Sequence, residues 1–443
     1  MIIKNGLVAF PGKSEFVKST LEIRDGKISA ILDNAPEGAE CLDAEGLYVF
    51  PGAVDAHVHF DTPGFEERED FYHGSSFAAS GGVTTVIDMP CTSLPPVTNL
   101  AHLKHKLAAV KKQSVIDYAF YGGVSANNFA TFEIDMEELA PYVAGYKTYL
   151  ISGMESFGAL NYEQLEKVLL VSKRLGLPVL LHAEDGKFIE KAEKRERQTG
   201  NKPLNYYRSR PEAAEMEAIY RAKGILAKTD GDLHIVHISS GEAAEIAFKA
   251  GISVETCPHY LAFSFSDFQK QGSILKVAPC IKQAPAHEEL WKQLANGNIS
   301  FVASDHAPCR LEDKATGSIW SDYSGIAGTG TLFPYLLSEG YFQKRLGLAR
   351  FLEITSSKAA ERYGLAKRKG SIEVGKDADL VLVNPRKHWK VKAEEFLSQG
   401  KISPWEDETF RGKVVMTILR GKVIYEENKG ILAKAGSGDF LGN

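Results

Sequence analysis

The chain has 443 residues, of which 44% are hydrophobic and 25% are charged, and its formal net charge is -5. This composition is typical of a globular protein that buries one large core and a smaller second one, and it excludes a largely disordered chain. Because a weakly acidic chain has no basic surface for a polyanion, we expect neither a nucleic acid nor a membrane surface as its partner.

The first predicted elements are short strands of alternating character in residues 1–50. Examples are residues 6–9 and 19–24, and a turn at Asp25-Gly26-Lys27 follows the second of them. Residues 370–443 have the same pattern of short alternating strands, with further strands predicted in 375–383 and 413–425. We therefore predict that both ends of the chain form one small β-sandwich domain.

Eight short apolar runs, separated by amphipathic helices, fill the middle of the chain. Residues 162–175 exemplify the helices, because their apolar side chains recur on one face after an acidic start. The repeated strand and helix order predicts an α/β fold, a closed (β/α)8 barrel of the TIM type over residues 51–369. The eight predicted strands are 47–58, 83–89, 116–123, 143–151, 178–183, 233–238, 253–257 and 299–304.

Six potential metal ligands stand at the ends of these runs, where the working residues of such a barrel lie. His57 and His59 form an H-x-H pair, whose imidazoles point to one face of a strand because side chains alternate. Histidines with a carboxylate suit zinc or a similar divalent ion. Since six ligands exceed one open site, the pattern predicts a metallohydrolase with two metal ions. The other four ligands are Lys147, His182, His237 and Asp305.

Lys147 is the unexpected member of this set. Taken alone, a lysine at this position would be an ordinary solvent-facing residue. A pair of metal ions needs a bridging anion, whereas a protonated ammonium would repel both cations. The Lys147 side chain must therefore be altered if it serves as a ligand.

Characteristic motifs surround the ligands, namely Pro51-Gly52-Ala53-Val54-Asp55-Ala56-His57-Val58-His59, Leu181-His182-Ala183-Glu184, Val236-His237-Ile238-Ser239-Ser240, Glu255-Thr256-Cys257-Pro258-His259-Tyr260 and Ser304-Asp305-His306-Ala307-Pro308. Together with Lys147, they resemble the cyclic amidohydrolases of the amidohydrolase superfamily over essentially the whole chain. In that superfamily the lysine of the fourth strand is carboxylated by carbon dioxide and bridges two metals. The resemblance thus implies an enzyme and resolves the charge conflict at Lys147.

The resemblance also implies a mechanism. A hydroxide that bridges two divalent ions, zinc by preference, would attack a ring amide carbonyl of a small cyclic substrate. Asp305 would accept the water's proton and pass it to the departing ring nitrogen. The implied ligand sets are His57, His59 and Asp305 for one metal, and His182 and His237 for the other, with carboxylated Lys147 as the bridge.

Within the cyclic amidohydrolases, the chain is most similar to the allantoinases, which implies hydrolysis of allantoin to allantoate. Residues 305–309, 325–328 and 401–405 carry this similarity. Ser152 stands where hydantoinases usually have a tyrosine that supports the oxyanion. We therefore expect Ser152 to donate toward the developing oxyanion.

Hydantoinase or dihydropyrimidinase activity is the first alternative, dihydroorotase the second, and a non-enzymatic scaffold relative the last. Dihydroorotases typically carry an arginine and an asparagine where this chain has Asp61 and Cys91, so the usual partners of a substrate carboxylate are missing. By resemblance, the backbone at Ala278 and Ser324 would hold the substrate ring. Residues 277–282 depart from the usual family sequence.

The remaining histidines and cysteines receive mostly structural predictions. His259 and His306 are expected to form hydrogen bonds near the metals. Five widely spaced cysteines without a C-x-x-C pair disfavour a disulfide framework and favour a reducing, cytoplasmic location. We expect no signal peptide and no membrane span. The resemblance implies a homo-oligomer, commonly a tetramer.

Overall fold

The computed structural model describes residues 1–442. Its N-terminal part forms five short strands before the barrel begins. Asp25 and Gly26 connect the second and third of these through a tight turn in which both residues have positive φ, 51° and 77°, as the sequence at this position predicts. The five strands are β1 (Ile2–Val8), β2 (Val17–Arg24), β3 (Lys27–Leu32), β4 (Cys41–Asp43) and β5 (Tyr48–Pro51).

The middle of the chain alternates parallel strand segments with helices. The strand segments are β6 (Ala53–Val58), β7 (Val83–Asp88), β8 (Asp117–Phe120), β9 (Gly122–Gly123), β10 (Tyr146–Tyr149), β11 (Val179–His182), β12 (Leu233–Ile235), β13 (Ser253–Thr256) and β14 (Phe301–Val302). The helices are α1 (Phe71–Ser80), α2 (Leu100–Val110), α3 (Phe132–Leu139), α4 (Tyr162–Leu175), α5 (Gly186–Arg197), α6 (Pro203–Ser209), α7 (Glu212–Thr229), α8 (Gly241–Lys249), α9 (Pro258–Ala262), α10 (Phe265–Gln271), α11 (Ala284–Ala295), α12 (Thr329–Tyr335), α13 (Leu348–Leu352) and α14 (Lys358–Arg362).

These segments make eight barrel strands, because β8 and β9 are one strand interrupted at Tyr121. β8 pairs with β7 and β9 pairs with β10, so this strand joins the sheet β6-β7-β8 to the sheet that runs from β9 to β14. At the other seam, Val58 and His306 form a parallel bridge, and the His59 N–H donates to the His306 carbonyl at 2.8 Å. The predicted (β/α)8 fold is confirmed.

A separate sheet lies outside the barrel and takes strands from both ends of the chain. The C-terminal strands are β15 (Leu380–Lys390), β16 (Thr409–Leu419), β17 (Lys422–Glu426) and β18 (Gly430–Ile431). The nine strands follow the order β18-β17-β16-β15-β5-β1-β2-β3, with β4 beside β1. The two ends meet where Leu380 of β15 lies opposite Pro51 of β5. Ile3, Leu21 and Ile418 belong to one apolar cluster, so both ends share a core.

The first predicted strand, residues 47–58, is in fact two strands separated by Gly52. The Gly52 N–H donates to the Asp379 carbonyl at 2.8 Å, which ties it to the terminal sheet. A Cβ at this position would lie 2.0 Å from Thr84 Oγ1, so only glycine fits. The apolar run therefore crosses from the terminal sheet into the barrel, a change that hydrophobicity alone does not reveal.

Helix α4 has the bounds that the sequence predicts, and its ends explain why. The Asn161 side chain accepts a hydrogen bond from the Gln164 N–H at 2.9 Å, which caps the first turn. Gly176 ends the helix with a φ of 69°. Leu165 and Leu169 lie on its buried face. Among residues 1–442, no helix is both long and apolar enough to cross a bilayer.

Candidate metal centre

Five of the six predicted ligand residues lie at or just after the carboxyl ends of barrel strands, and Lys147 lies within strand β10. Five of them line one cavity of about 610 Å³, namely His57, His59, His182, His237 and Asp305. Lys147 lies in β10 beneath that cavity and is fully buried. The barrel thus brings together side chains that are far apart in the sequence, at the end where ligands bind in such folds.

His57, His59 and Asp305 form the first group. The Nε2 atoms of His57 and His59 lie 3.2 Å and 3.3 Å from the same Asp305 oxygen, Oδ1. Burial raises the pKa of Asp305, but the surrounding imidazoles outweigh it and hold that pKa well below its usual range. Burial lowers the pKa of His59, whereas hydrogen bonds to Asp305 and Cys91 raise it to about 10 overall. The group therefore attracts positive charge at its centre, as a cation site must.

His182 and His237 form the second group. Nδ1 of His182 lies 3.1 Å from Nε2 of His237, so two ring nitrogens face each other. Burial lowers the pKa of His237 and of His57 well below its usual value, so these imidazoles are neutral at pH 7 and can offer a lone pair. The ring centres of His57 and His237 are 5.4 Å apart, so the first and second groups are neighbours.

Lys147 meets the requirements for a modified ligand. Its Nζ is buried and has no hydrogen-bond partner among residues 1–442. It lies 4.7 Å from the centre of the Tyr149 ring. Burial lowers the pKa of Lys147 to about 8, against nearby negative groups that act the other way. An unpaired buried amine is costly, and a bridging anion at this position would remove that cost.

Outer hydrogen bonds turn the ligand nitrogens toward the centre. Nδ1 of His57 contacts Glu255 Oε1 at 2.5 Å, and Nδ1 of His59 lies 3.1 Å from Thr92 Oγ1. Nε2 of His182 lies 3.0 Å from Glu184 Oε2. In each ring the second nitrogen is left free for the centre, an arrangement common at metal sites. The donor set of four imidazoles and a carboxylate fits two divalent transition ions.

Two of the ligand positions have unusual backbone conformations. His237 and Asp305 have φ values of 43° and 48°, in the left-handed region that residues other than glycine rarely adopt. Such conformations persist only where the surrounding structure enforces them, and they cluster at functional sites. The placement of these two side chains therefore costs conformational free energy, which the rest of the fold offsets.

Residues 48–424 match the sequence profile of the Amidohydrolase family. The chain belongs to this family. It is 38% identical to the allantoinase of Rubrobacter xylanophilus, over 98% of this chain and 96% of that protein. It is 36% identical to the allantoinase of Solibacter usitatus, over 98% of this chain and 95% of that protein. Among solved structures, it is similar to the L-hydantoinase (dihydropyrimidinase) of Arthrobacter aurescens, with a TM-score of 0.94 and 30% identity over 100% of this chain and 99% of that one.

The three predicted substrate contacts of this amidohydrolase, Ser152, Ala278 and Ser324, all line the cavity. The Ser152 hydroxyl donates to the Phe157 carbonyl at 2.7 Å. The Ser152 hydroxyl must break this hydrogen bond before it can donate to a substrate oxygen. The predicted contact therefore costs the free energy of one hydrogen bond, which the sequence does not reveal.

Asp61 and Cys91, the two departures from the dihydroorotase pattern, have different surroundings. Asp61 is fully buried and forms an ion pair with Arg68 Nε at 3.0 Å. Cys91 lines the cavity, with its Sγ 3.1 Å from the Tyr149 hydroxyl. Burial raises the pKa of Asp61 to about 7, against the charge of Arg68. Neither residue offers a cation to a substrate carboxylate.

His306 and His259 lie near the centre in different ways. Nδ1 of His306 accepts a hydrogen bond from the Gly328 N–H at 3.0 Å, and its Nε2 lies 3.1 Å from Glu69 Oε2. His306 thus fixes the segment after β14 to its neighbours. His259 and Asp305 have ligand atoms within 4.8 Å of each other, and burial lowers the pKa of His259 to about 4.

Glu255 and Glu184 are the functional residues that the sequence interpretation missed. Both lie inside motifs that identify the family, but neither was assigned a role. Glu255 is fully buried in strand β13, next to the buried Val254. A buried charged side chain needs a partner of opposite charge or a hydrogen-bond donor. A glutamate inside a predicted core strand could therefore have been recognised in the sequence as a residue with a specific partner.

A second acidic cluster lies at the opposite end of the barrel. The carboxylates of Asp117, Asp377 and Asp379 lie close together and are buried. Lys369 Nζ lies at their centre, 2.5 Å from Asp117 Oδ2 and 2.6 Å from Asp379 Oδ2. The lysine takes the position that a cation would need, so this cluster is an ion-pair network that joins β8 to the C-terminal part of the chain.

Proposed function

We propose that this protein hydrolyses the ring amide of a cyclic ureide, with allantoin as substrate and allantoate as product. The observation that carries the proposal is the convergence of five ligand-type side chains on one cavity of the barrel, with the buried Lys147 on strand β10 nearby. The two allantoinases at 38% and 36% identity over nearly the full chain support the choice of substrate.

We propose two divalent metal ions, with zinc favoured by the nitrogen-rich donor set. When bound, two such ions lower the pKa of a water molecule and polarise the substrate carbonyl. The proposed ligand sets are His57, His59 and Asp305 for one ion and His182 and His237 for the other, with Lys147 in contact with both.

Lys147 would serve as a carbamate. The ammonium first loses one proton, and the neutral amine then attacks carbon dioxide, forms a new N–C bond and releases a second proton, so that a repelling cation becomes an anion. Its burial, its lack of a hydrogen-bond partner and its lowered pKa support this step. An ordinary exposed lysine would keep its proton at neutral pH.

Asp305 would move the proton of the reaction. Its Oδ1 lies between the His57 and His59 nitrogens and faces the cavity, within reach of a water molecule that attacks there. In this position Asp305 would accept the proton of the attacking water and pass it to the departing ring nitrogen. Ser152 and the backbone of Ala278 and Ser324 would hold the ring and its developing oxyanion.

Hydantoinase or dihydropyrimidinase activity is the second candidate, because the chain has a TM-score of 0.94 with an L-hydantoinase (dihydropyrimidinase). Dihydroorotate is disfavoured, since its carboxylate would meet no free guanidinium at Asp61. Parallel hydrolysis assays with allantoin, hydantoin, dihydrouracil and dihydroorotate test this ranking of the candidate substrates. We expect the highest kcat/KM with allantoin. A higher value with dihydroorotate, or no turnover of any ring, would contradict the proposal.

We also propose a homotetramer in a reducing, cytoplasmic setting. The family resemblance supports the assembly, and the five free cysteines support the setting. Light scattering of the purified protein tests the first part. A mass near four times the 48.6 kDa of the chain is expected, and a monomer would contradict it.

A further inference from the structure

The cavity is larger than the ring that the metal centre would hold. Its volume of about 610 Å³ lies in the range of sites for larger ligands. The lining apart from the proposed metal ligands, here called the outer half, includes charged residues from several segments, namely Glu193 and Arg197 of α5, Arg210 after α6, and Lys276. Arg210 adjoins the proposed centre, because it and His182 contact the same oxygen of Glu184. A group attached to the substrate ring can occupy this part of the cavity.

The acids of the outer half already have partners. Glu193 Oε1 accepts a hydrogen bond from Arg197 Nε at 2.7 Å. Asp322 accepts hydrogen bonds from the Thr316 N–H at 2.9 Å and from the Ser273 hydroxyl. These contacts leave the two carboxylates little capacity to bind a substrate.

The cations Lys276 and Arg210 keep unused donors. Lys276 is 4% exposed, and its Nζ donates to the carbonyl of Asp322, while the nearby Asp322 carboxylate offsets part of its charge. Arg210 donates through Nη1 to Glu184, but its Nε has no hydrogen-bond partner among residues 1–442. Unused donors on buried cations cost free energy until an acceptor arrives.

Tyr206 contacts both of these cations. Lys276 Nζ and Arg210 Cζ lie 5.1 Å and 5.6 Å from the centre of its ring, within the range of a cation–π contact. The Tyr206 hydroxyl donates to the Val277 carbonyl at 3.1 Å, which fixes the ring against the segment that carries Ala278. Two cations are therefore held next to the segment proposed to hold the substrate ring.

We propose that Lys276 and Arg210 form a subsite for an oxygen on the substituent of the substrate ring, the ureido carbonyl in allantoin. This inference rests on the proposed function and adds how one cyclic ureide is selected over another. Because both donors are charged, a carboxylate on an arm of the same length is bound more tightly than the neutral ureido group. Unsubstituted hydantoin gains nothing from the subsite.

The experiment compares kcat/KM for hydantoin, allantoin and 5-carboxymethylhydantoin, whose arm has the shape of the ureido arm. The variant Lys276→Met removes the ammonium but keeps the length of the side chain. The matched control is Lys191→Met, on the exposed face of α5. We expect Lys276→Met to lower the 5-carboxymethylhydantoin to hydantoin ratio at least about tenfold, and the allantoin to hydantoin ratio by less, as for a lost hydrogen bond to a charged group. The control should leave both ratios unchanged.

Arg210→Lys is the second variant, because it keeps a positive charge beside Glu184 while it removes Nε. It should lower the same two ratios, with the metal content measured to show that the His182 side of the centre is intact. If hydantoin and allantoin are both opened and neither variant changes the ratios, the subsite is refuted and the proposed function stands. If the wild-type protein opens no ring, the proposed function itself fails.

Discussion

Glu255 joins two histidines in the core of the barrel, one of which is a proposed metal ligand. Its Oε1 lies 2.5 Å from Nδ1 of His57, and its Oε2 lies 3.2 Å from Nε2 of His234. Glu255 therefore fixes the ring of His57 so that Nε2 points to Asp305. Burial raises the pKa of Glu255 well above its usual range, so the carboxylate depends on positive charge nearby, including that of a bound metal.

We predict that Glu255→Gln weakens metal binding about 10-fold to 100-fold, because glutamine keeps the shape but loses the negative charge. Metal content after competition with a chelator, and the visible spectrum of the cobalt form, measure this loss without reference to activity. Glu242→Gln, at an exposed position of α8, is the control. Unchanged affinity in a folded Glu255→Gln protein would contradict the role of Glu255.

Asp305→Asn should separate metal binding from proton transfer. The amide oxygen can still approach the metal near His57 and His59, but it cannot accept a proton from water. We expect most of the metal to remain, while kcat falls about 10²-fold to 10⁴-fold. Metal analysis and steady-state kinetics on the same preparation test this. Full activity would exclude Asp305 as the proton acceptor.

Lys369→Met should destabilise the fold without changing the metal centre, which lies at the other end of the barrel. The change leaves the carboxylates of Asp117 and Asp379 buried without their shared cation. We expect a loss of about 3–5 kcal/mol in the free energy of unfolding. Chemical denaturation of this variant and of Lys367→Met, at an exposed position nearby, provides the comparison. Equal stability of both variants would show that the cluster contributes little.

Glu215 should make stability depend on pH. Burial raises its pKa from 4.5 to about 7, although Lys282 and hydrogen bonds from Ser239 act in the opposite direction. Between these two pH values the unfolded chain loses the Glu215 proton while the folded protein keeps it. Stability therefore falls as pH rises through this window, by up to about 3 kcal/mol from this group.

Glu215→Gln should remove the part of the pH dependence of stability that comes from Glu215. The measurement is the difference in unfolding midpoint between wild type and variant at pH 4.5, 6 and 7, with the half-exposed Glu217→Gln as control. The wild-type protein should lose stability relative to Glu215→Gln as pH rises. A difference that does not change with pH would show that Glu215 is ionised in the fold.

The sequence predicts the barrel and the ligands because both depend on local patterns. A strand alternates its side chains, so His57 and His59 must share a face, and their Nε2 atoms do reach the same Asp305 oxygen. The break at Gly52 is not predictable in this way, because it depends on contact with Thr84 and Asp379.

The outer hydrogen bonds of the centre depend on contacts between distant parts of the chain. Glu255 and His57 are 198 residues apart in the sequence, and Asp61 finds its partner Arg68 only through the fold of the intervening loop. Likewise, the hydrogen bond from the Ser152 hydroxyl to the Phe157 carbonyl depends on the conformation of the loop that joins them. Residue types predict which side chains can bind a metal, but not which neighbours hold them.

We propose that the activity depends on a carbamate on Lys147 that contacts two metal ions. Lys147→Arg, which cannot be carboxylated in the same way, should lower kcat/KM about 10³-fold, since the bridge and with it several kcal/mol of transition-state stabilisation are lost. An active Lys147→Arg protein would contradict the need for the carbamate.

The most direct measurement is a crystal structure of the protein prepared with zinc and bicarbonate, with anomalous maps to locate the metals. We expect density for a carboxylate attached to Lys147 Nζ, with one metal peak beside His57 and His59 and a second beside His182 and His237. A bare ammonium at Lys147 with both metal peaks present would contradict it.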